Sequence, residues 1–127
     1  MLQVPNVVGL TMCEQIITDA ATRHATLVNT FSHLRCPVFP SPPQRFAIST
    51  VLTDALGDAI MTLVLHRLDT LEIIRERRWS MTFADPLRAI RLILRYTDLS
   101  FPVSGGYQFT LLADSEWVAQ AVLRVSD

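Results

Sequence analysis

The chain contains no lysine: all eleven of its basic residues are arginine. That absence removes Schiff-base chemistry, the phosphate-holding lysine of a Walker loop and the nucleotide lysine of a kinase. A genome rich in G and C, which favours arginine codons, accounts for the bias without a functional cause. Glycine is scarce, at four residues, and no glycine-rich element offers an oxyanion hole. Long apolar runs are missing too, because Arg, Asp or Glu interrupts every hydrophobic stretch before the roughly 20 residues a membrane helix needs. The first ten residues lack the basic start and apolar centre of a secretory signal, so the expected compartment is the cytoplasm. Cysteine is limited to Cys13 and Cys36. Their segments read as neighbouring strands, so a disulfide is geometrically possible, whereas a reducing compartment favours two buried thiols.

What is present in abundance is apolar side chain. Half the residues are hydrophobic, 18% are charged, and mean hydropathy is +0.30. For a domain this small, that balance implies apolar surface covered by a protein partner or by a second copy. A net charge of -1 gives no general attraction to nucleic acid or to anionic lipid. At 127 residues the chain is expected to form one domain, residues 1–127, with a core that needs no staples.

The pattern along the chain is that of strands. After Pro102, Gly105 and Gly106, the residues Tyr107, Phe109 and Leu111 point one way while Gln108 and Thr110 point the other. Asp114-Ser-Glu116 is a polar reversal, after which Trp117, Ala119, Ala121, Leu123 and Val125 repeat the alternation. Earlier, residues 8–20 and 25–36 form a strand pair joined at Ala21–His24, with an irregular spacing in the second that predicts a bulge or edge distortion. Four of the seven prolines fall between Cys36 and Pro43, which marks a crossover between sheets. Phe46–Leu52 alternates and stops at the turn signal Asp54-Ala-Leu-Gly57. Residues 58–79 fit either a helical stripe (Ile60, Met61, Val64, Leu65, Leu68) or a hairpin turning at Leu68-Asp-Thr70. The hairpin is preferred because the flanking segments need sheet neighbours. Ile90, Leu92, Leu94 and Tyr96 then share a strand face. The sum is an all-β chain, a single antiparallel sandwich of about eight strands.

The segments Leu10-Thr-Met-Cys-Glu-Gln-Ile-Ile17, Leu27-Val-Asn-Thr-Phe31, Cys36-Pro-Val-Phe-Pro40, Phe83-Ala-Asp-Pro-Leu87 and Gly106-Tyr-Gln-Phe-Thr-Leu111 together resemble a short bacterial family of unknown function, domain-of-unknown-function family 6941. The resemblance implies a single immunoglobulin-like sandwich with a Gly-x-Tyr-x-Phe strand, an acidic hairpin and a closing strand. Gly105, Gly106, Tyr107 and Phe109 fit that pattern. Ser115 stands where a glycine is typical, which leaves the turn type open. The family brings no catalytic residue and no cofactor.

Candidate chemistry is thin. His24, His33 and His66 with Cys13 and Cys36 lack the close spacing that preorganises two zinc ligands. A Cys–His nucleophile pair has no motif around it. The aspartates fall at reversals, where they serve turn backbone, and Asp54–Asp58 lacks the ligand density of a calcium loop. No catalytic, metal or cofactor residue is therefore assigned, and the chain is expected not to be an enzyme. The candidate interaction surface is Phe39 on the Pro-rich crossover together with Arg75, Arg77 and Trp79. On a strand those last three share a face, and Arg78 shares the other with Glu76. Such a face can stack on nucleic acid or meet an acidic peptide, but charged residues also protect sheet edges from aggregation. The expected function is protein interaction or assembly through a sheet face or edge strand. Small-ligand or nucleic-acid binding is the alternative, and a Cys/His enzyme is the remote one.

Overall fold

The computed structural model describes residues 2–127. Nine strands make two sheets: β1 (Asn6–Thr18), β2 (Ala25–Phe31), β3 (His33–Arg35), β4 (Gln44–Thr53), β5 (Gly57–Arg67), β6 (Ile73–Phe83), β7 (Ile90–Leu99), β8 (Gly105–Ala113) and β9 (Glu116–Ser126). One sheet runs β2-β1-β4-β7 and the other β3-β9-β8-β5-β6. The pairings are antiparallel, with the exception of β3 on β9. Among the described residues there is no helix, and hence none long and apolar enough to cross a membrane.

Alternation builds the core between the sheets. Met61, Leu63 and Leu65 of β5, Tyr107, Phe109 and Leu111 of β8, and Ile48 and Leu52 of β4 are all buried there. Phe109 packs on Phe46 and Tyr96, with ring centroids 6.1 and 5.9 Å away, within the range of favourable aromatic pairs. Tyr107 Oη donates to the Val103 carbonyl at 2.6 Å, and its ring packs edge-on to Phe101. A tyrosine near the start of a strand bonding back to the chain just before it is the tyrosine corner of immunoglobulin-like sandwiches.

The 58–79 segment is the hairpin β5–β6, not a helix. Its second strand begins at Ile73 and continues to Phe83, beyond the expected end at Trp79. The Pro-rich crossover does carry the chain from one sheet to the other, between β3 and β4.

Three expectations change. The strand over 25–36 is two strands: Asn29 has a left-handed φ of 53°, and after Phe31 the chain leaves β1 to run alongside β9. Cys13 and Cys36 are free and do not sit on neighbouring strands. Cys13 packs with Ile16 and Ala47, and Cys36 belongs to the main core. Trp117 does not share a face with Ala119. Leu111 pairs Ala119 but Leu112 pairs Trp117, so Val118 is an extra residue in the ladder. A bulge of one residue inverts the side-chain phase, so Val118 packs on the core and Trp117 points outward.

Candidate functional site

The two outer sheet faces differ in how they are finished. On the four-stranded sheet, Cys13, Ile16 and Ala47 form a small buried cluster with Ala25, Leu27 and Ile93 around it. Two β7 arginines are tied down on this side. Arg91 Nη1 donates to Ser49 Oγ at 2.6 Å, and Arg95 Nη2 reaches the Ile16 carbonyl at 3.5 Å. Both heads are thus held against the sheet beside the cluster, while Val8, opposite Val51 further along the same face, is exposed. Burial raises the Cys13 thiol pKa above its ordinary value, and the Arg95 charge opposes that rise.

The five-stranded sheet has no such roof. The register puts His66 opposite Ile73 and Gln108, Val64 opposite Thr110, and Thr62 opposite Leu112, which in turn pairs Trp117. Each of these alternates with an inward core residue and so points outward. Leu71 is 70% exposed, Trp117 60%, Ile73 59%, Ile60 55% and Val122 52%. Val64, His66, Thr110 and Leu112 floor a groove of about 380 Å³, with Trp117 on one side and Leu71 and Ile73 on the other. Glu76 and Arg78 of β6 stand beside it, Arg67 with Asp69 and Glu72 forms a cluster at the β5–β6 turn, and Arg124 of β9, which points outward on this face, has no ion pair among the described residues. Arg78 Nε is 3.4 Å from Glu76, while Arg67 lies 3.0 Å from Asp69 and 3.8 Å from Glu72. Singly exposed hydrophobics need no explanation, but a contiguous patch with a polar rim marks a contact surface.

The structure scatters the residues singled out from sequence. Arg75, Arg77 and Trp79 do share a face, and it is the inward one, at the open side of the sandwich where β6 meets β7. Arg77 Nη1 donates to the Arg95 carbonyl at 3.0 Å, and its guanidinium lies 5.3 Å from the Tyr96 ring centroid. Arg75 Nη1 is 3.3 Å from Asp98. These arginines lace the two edge strands together, and Trp79 packs on the core between the sheets. Phe39, joined to Pro40 by a cis peptide, is half-buried against the same core. None of the four borders the groove. Sequence reasoning missed Trp117 as a surface residue because alternation alone turned it inward, and nothing in the residue types announces the bulge.

Histidines and cysteines do not converge. His33 Nε2 lies 2.8 Å from Ser126 Oγ, His66 lines the groove, and His24 ends a turn. Among the described residues, no three His, Cys, Asp or Glu side chains gather as metal ligands do. Asp19 accepts from the amides of Ala21 and Thr22, which holds its carboxyl below the usual range. That is turn service, as the sequence suggested.

Residues 9–126 match a family of unknown function, DUF6941. Among solved structures, the chain is similar to an immunoglobulin-like protein from Pseudomonas aeruginosa, at 9% identity and a TM-score of 0.51, with 97% of each chain covered. It also resembles part of a β-glucosidase from Listeria innocua, solved in complex with isofagomine. That match is at 8% identity and a TM-score of 0.50, covering 97% of this chain and 16% of the enzyme. At such identities the likeness is one of fold. No curated protein matches the chain.

Proposed function

Because the chain belongs to the family of unknown function DUF6941, which hands down no activity, we propose a role from its own surface: a non-enzymatic protein-interaction module. The contact is made by the outer face of the five-stranded sheet. One observation carries the reading: a contiguous apolar groove flanked by exposed Trp117, Leu71 and Ile73 on the outer face of the five-stranded sheet. Exposed tryptophan in an apolar patch is the typical anchor of a protein interface, and burying it is favourable for any partner of matching shape. The apolar lining of the groove, with Arg78 beside it paired to Glu76, favours a protein surface over a polyanion, since a nucleic-acid site gathers several arginines free for phosphate.

The test is native mass spectrometry of the protein purified gently from its own cells, as wild type and as Trp117→Glu. A stoichiometric protein complex in the wild type that is lost in a folded Trp117→Glu supports the reading. A bare monomer in the wild type, or a complex that persists in the variant, overturns it.

A further inference from the structure

We propose that the partner on this face is a second copy of the chain, joined about a two-fold axis that crosses the groove in the plane of the interface. The inference rests on the reading of the face as a contact surface and goes beyond it in naming the occupant.

Three observations point to self-pairing. The first is the placement of the two walls. Trp117 lies on the β9 side in the row of Thr62 and Leu112, whereas Ile73 lies on the β6 side in the row of His66. They stand at opposite corners of one patch. A two-fold axis between them sets Trp117 of each copy over Leu71 and Ile73 of the other, so every contact is made twice. This is the self-complementarity that an isologous dimer requires. The large indole projects from one corner, and a groove of about 380 Å³ lies beside it to receive the equivalent ring.

The second observation is charge. Glu76 and Arg78 neutralise one another beside the groove, and Arg67 is paired with Asp69 and Glu72 at the β5–β6 turn. The whole chain carries a net charge of only -1. Arg124, which has no ion pair among the described residues, lies one outward position beyond Val122 and so outside the patch between Trp117 and Ile73. Two identical patches therefore meet with little repulsion, while a strongly basic or acidic partner finds little opposite field to steer it.

The third is size. Four long strands spaced about 4.8 Å apart, each about nine residues at 3.4 Å, present roughly 600 Å² of sheet face. With the turn at Leu71 added, this approaches the ~800 Å² per partner of a standard stable interface. Packing of sheet on sheet with interleaved side chains is also the arrangement already used inside the sandwich.

Sedimentation velocity of the purified full chain, across the micromolar range, tests the proposal. The expected result is a reversible dimer that Trp117→Glu and, independently, Leu71→Glu convert to a monomer with an unchanged far-ultraviolet spectrum. The chain holds two tryptophans, so Trp79→Phe leaves Trp117 as the sole reporter. Its emission should shift to the red on dilution, as the indole returns to water. A wild type that stays monomeric throughout, or a dimer indifferent to both glutamates, overturns the proposal. If that monomer nonetheless leaves its own cells bound to a different protein, and Trp117→Glu releases it, the second copy is wrong and the contact face stands. A monomer without any companion removes both.

Discussion

Two tyrosines buried in the same sandwich do opposite things with their hydroxyls. Tyr107 donates to the Val103 carbonyl and closes the corner that leads into β8, and its burial raises the phenol pKa. Tyr96 Oη is buried with no hydrogen bond of good geometry, and burial raises its pKa against the charge and a weak polar contact of the Arg77 guanidinium. Removing a made hydrogen bond costs net stability, whereas removing an unmade one relieves a desolvation penalty. Tyr107→Phe should therefore lower unfolding free energy by about 1 kcal/mol, and Tyr96→Phe should leave it unchanged or raise it by up to about 1 kcal/mol. Urea unfolding of the two variants decides the matter. Equal losses in both would mean that Tyr96 holds a partner after all.

Ser115 gives a third residue-scale prediction. Asp114 and Ser115 have φ of 48° and 70°, the two consecutive left-handed residues of a type I′ hairpin turn. The turn type left open by the absence of glycine is thus the glycine-preferring one, with serine bearing the strain. Ser115→Gly should stabilise the fold by about 0.5–1 kcal/mol, the left-handed penalty less glycine's extra chain entropy. A lower midpoint in a thermal melt would contradict this.

At the scale of elements, the sequence was most readable where alternation runs unbroken. Tyr107, Phe109 and Leu111 of β8 lie in the core as their spacing indicates. The β5–β6 hairpin was separable from a helix only through its need for sheet neighbours, because Ile60, Met61, Val64 and Leu65 suit both periods. Illegible were the places where tertiary structure interrupts a strand. The Val118 bulge follows from how β9 fits β8, and no residue type marks it. The break after Phe31 was visible only as imperfect spacing, since the partner that captures β3 lies at the far end of the chain. Arg75, Arg77 and Trp79 were correctly placed on one face, but a period of two cannot say which face is inward when the inward side is the rim of the sandwich. Their arginine heads reach Asp98 and the Arg95 carbonyl on β7, contacts between edge strands of the two different sheets. The candidate surface is similarly split. Its hydrophobic excess was legible in composition, but its location needed the registers that gather Leu71, Ile73 and Trp117 around one groove.

At the scale of the whole molecule, the two sheet faces pose the same problem of covering apolar surface and solve it differently. On the four-stranded face, Arg91 is held on Ser49 and Arg95 on the Ile16 carbonyl, beside a cluster that includes fully buried Cys13. Cys36 is just as inaccessible but lies in the core between the sheets, away from those arginines. The two thiols thus report separately on the roof and on the core. In the double variant Arg91→Ala, Arg95→Ala, two effects on Cys13 compete: losing the Arg95 charge raises its pKa, and losing cover restores solvent, which lowers it. A thiol with no exposed surface cannot meet an alkylating reagent in either protonation state, so access rather than pKa decides the rate. Cys13 should then react with iodoacetamide several-fold faster at mildly alkaline pH, while Cys36 remains at its native rate, as peptide mass mapping can resolve. Faster labelling of both cysteines would mean that the arginines hold the sandwich together rather than cover one face, and equal rates for Cys13 with and without them would mean that β2 alone shields it. If the roof opens as expected, the variant also acquires a second exposed apolar face, and larger assemblies should appear than the wild type forms at the same concentration.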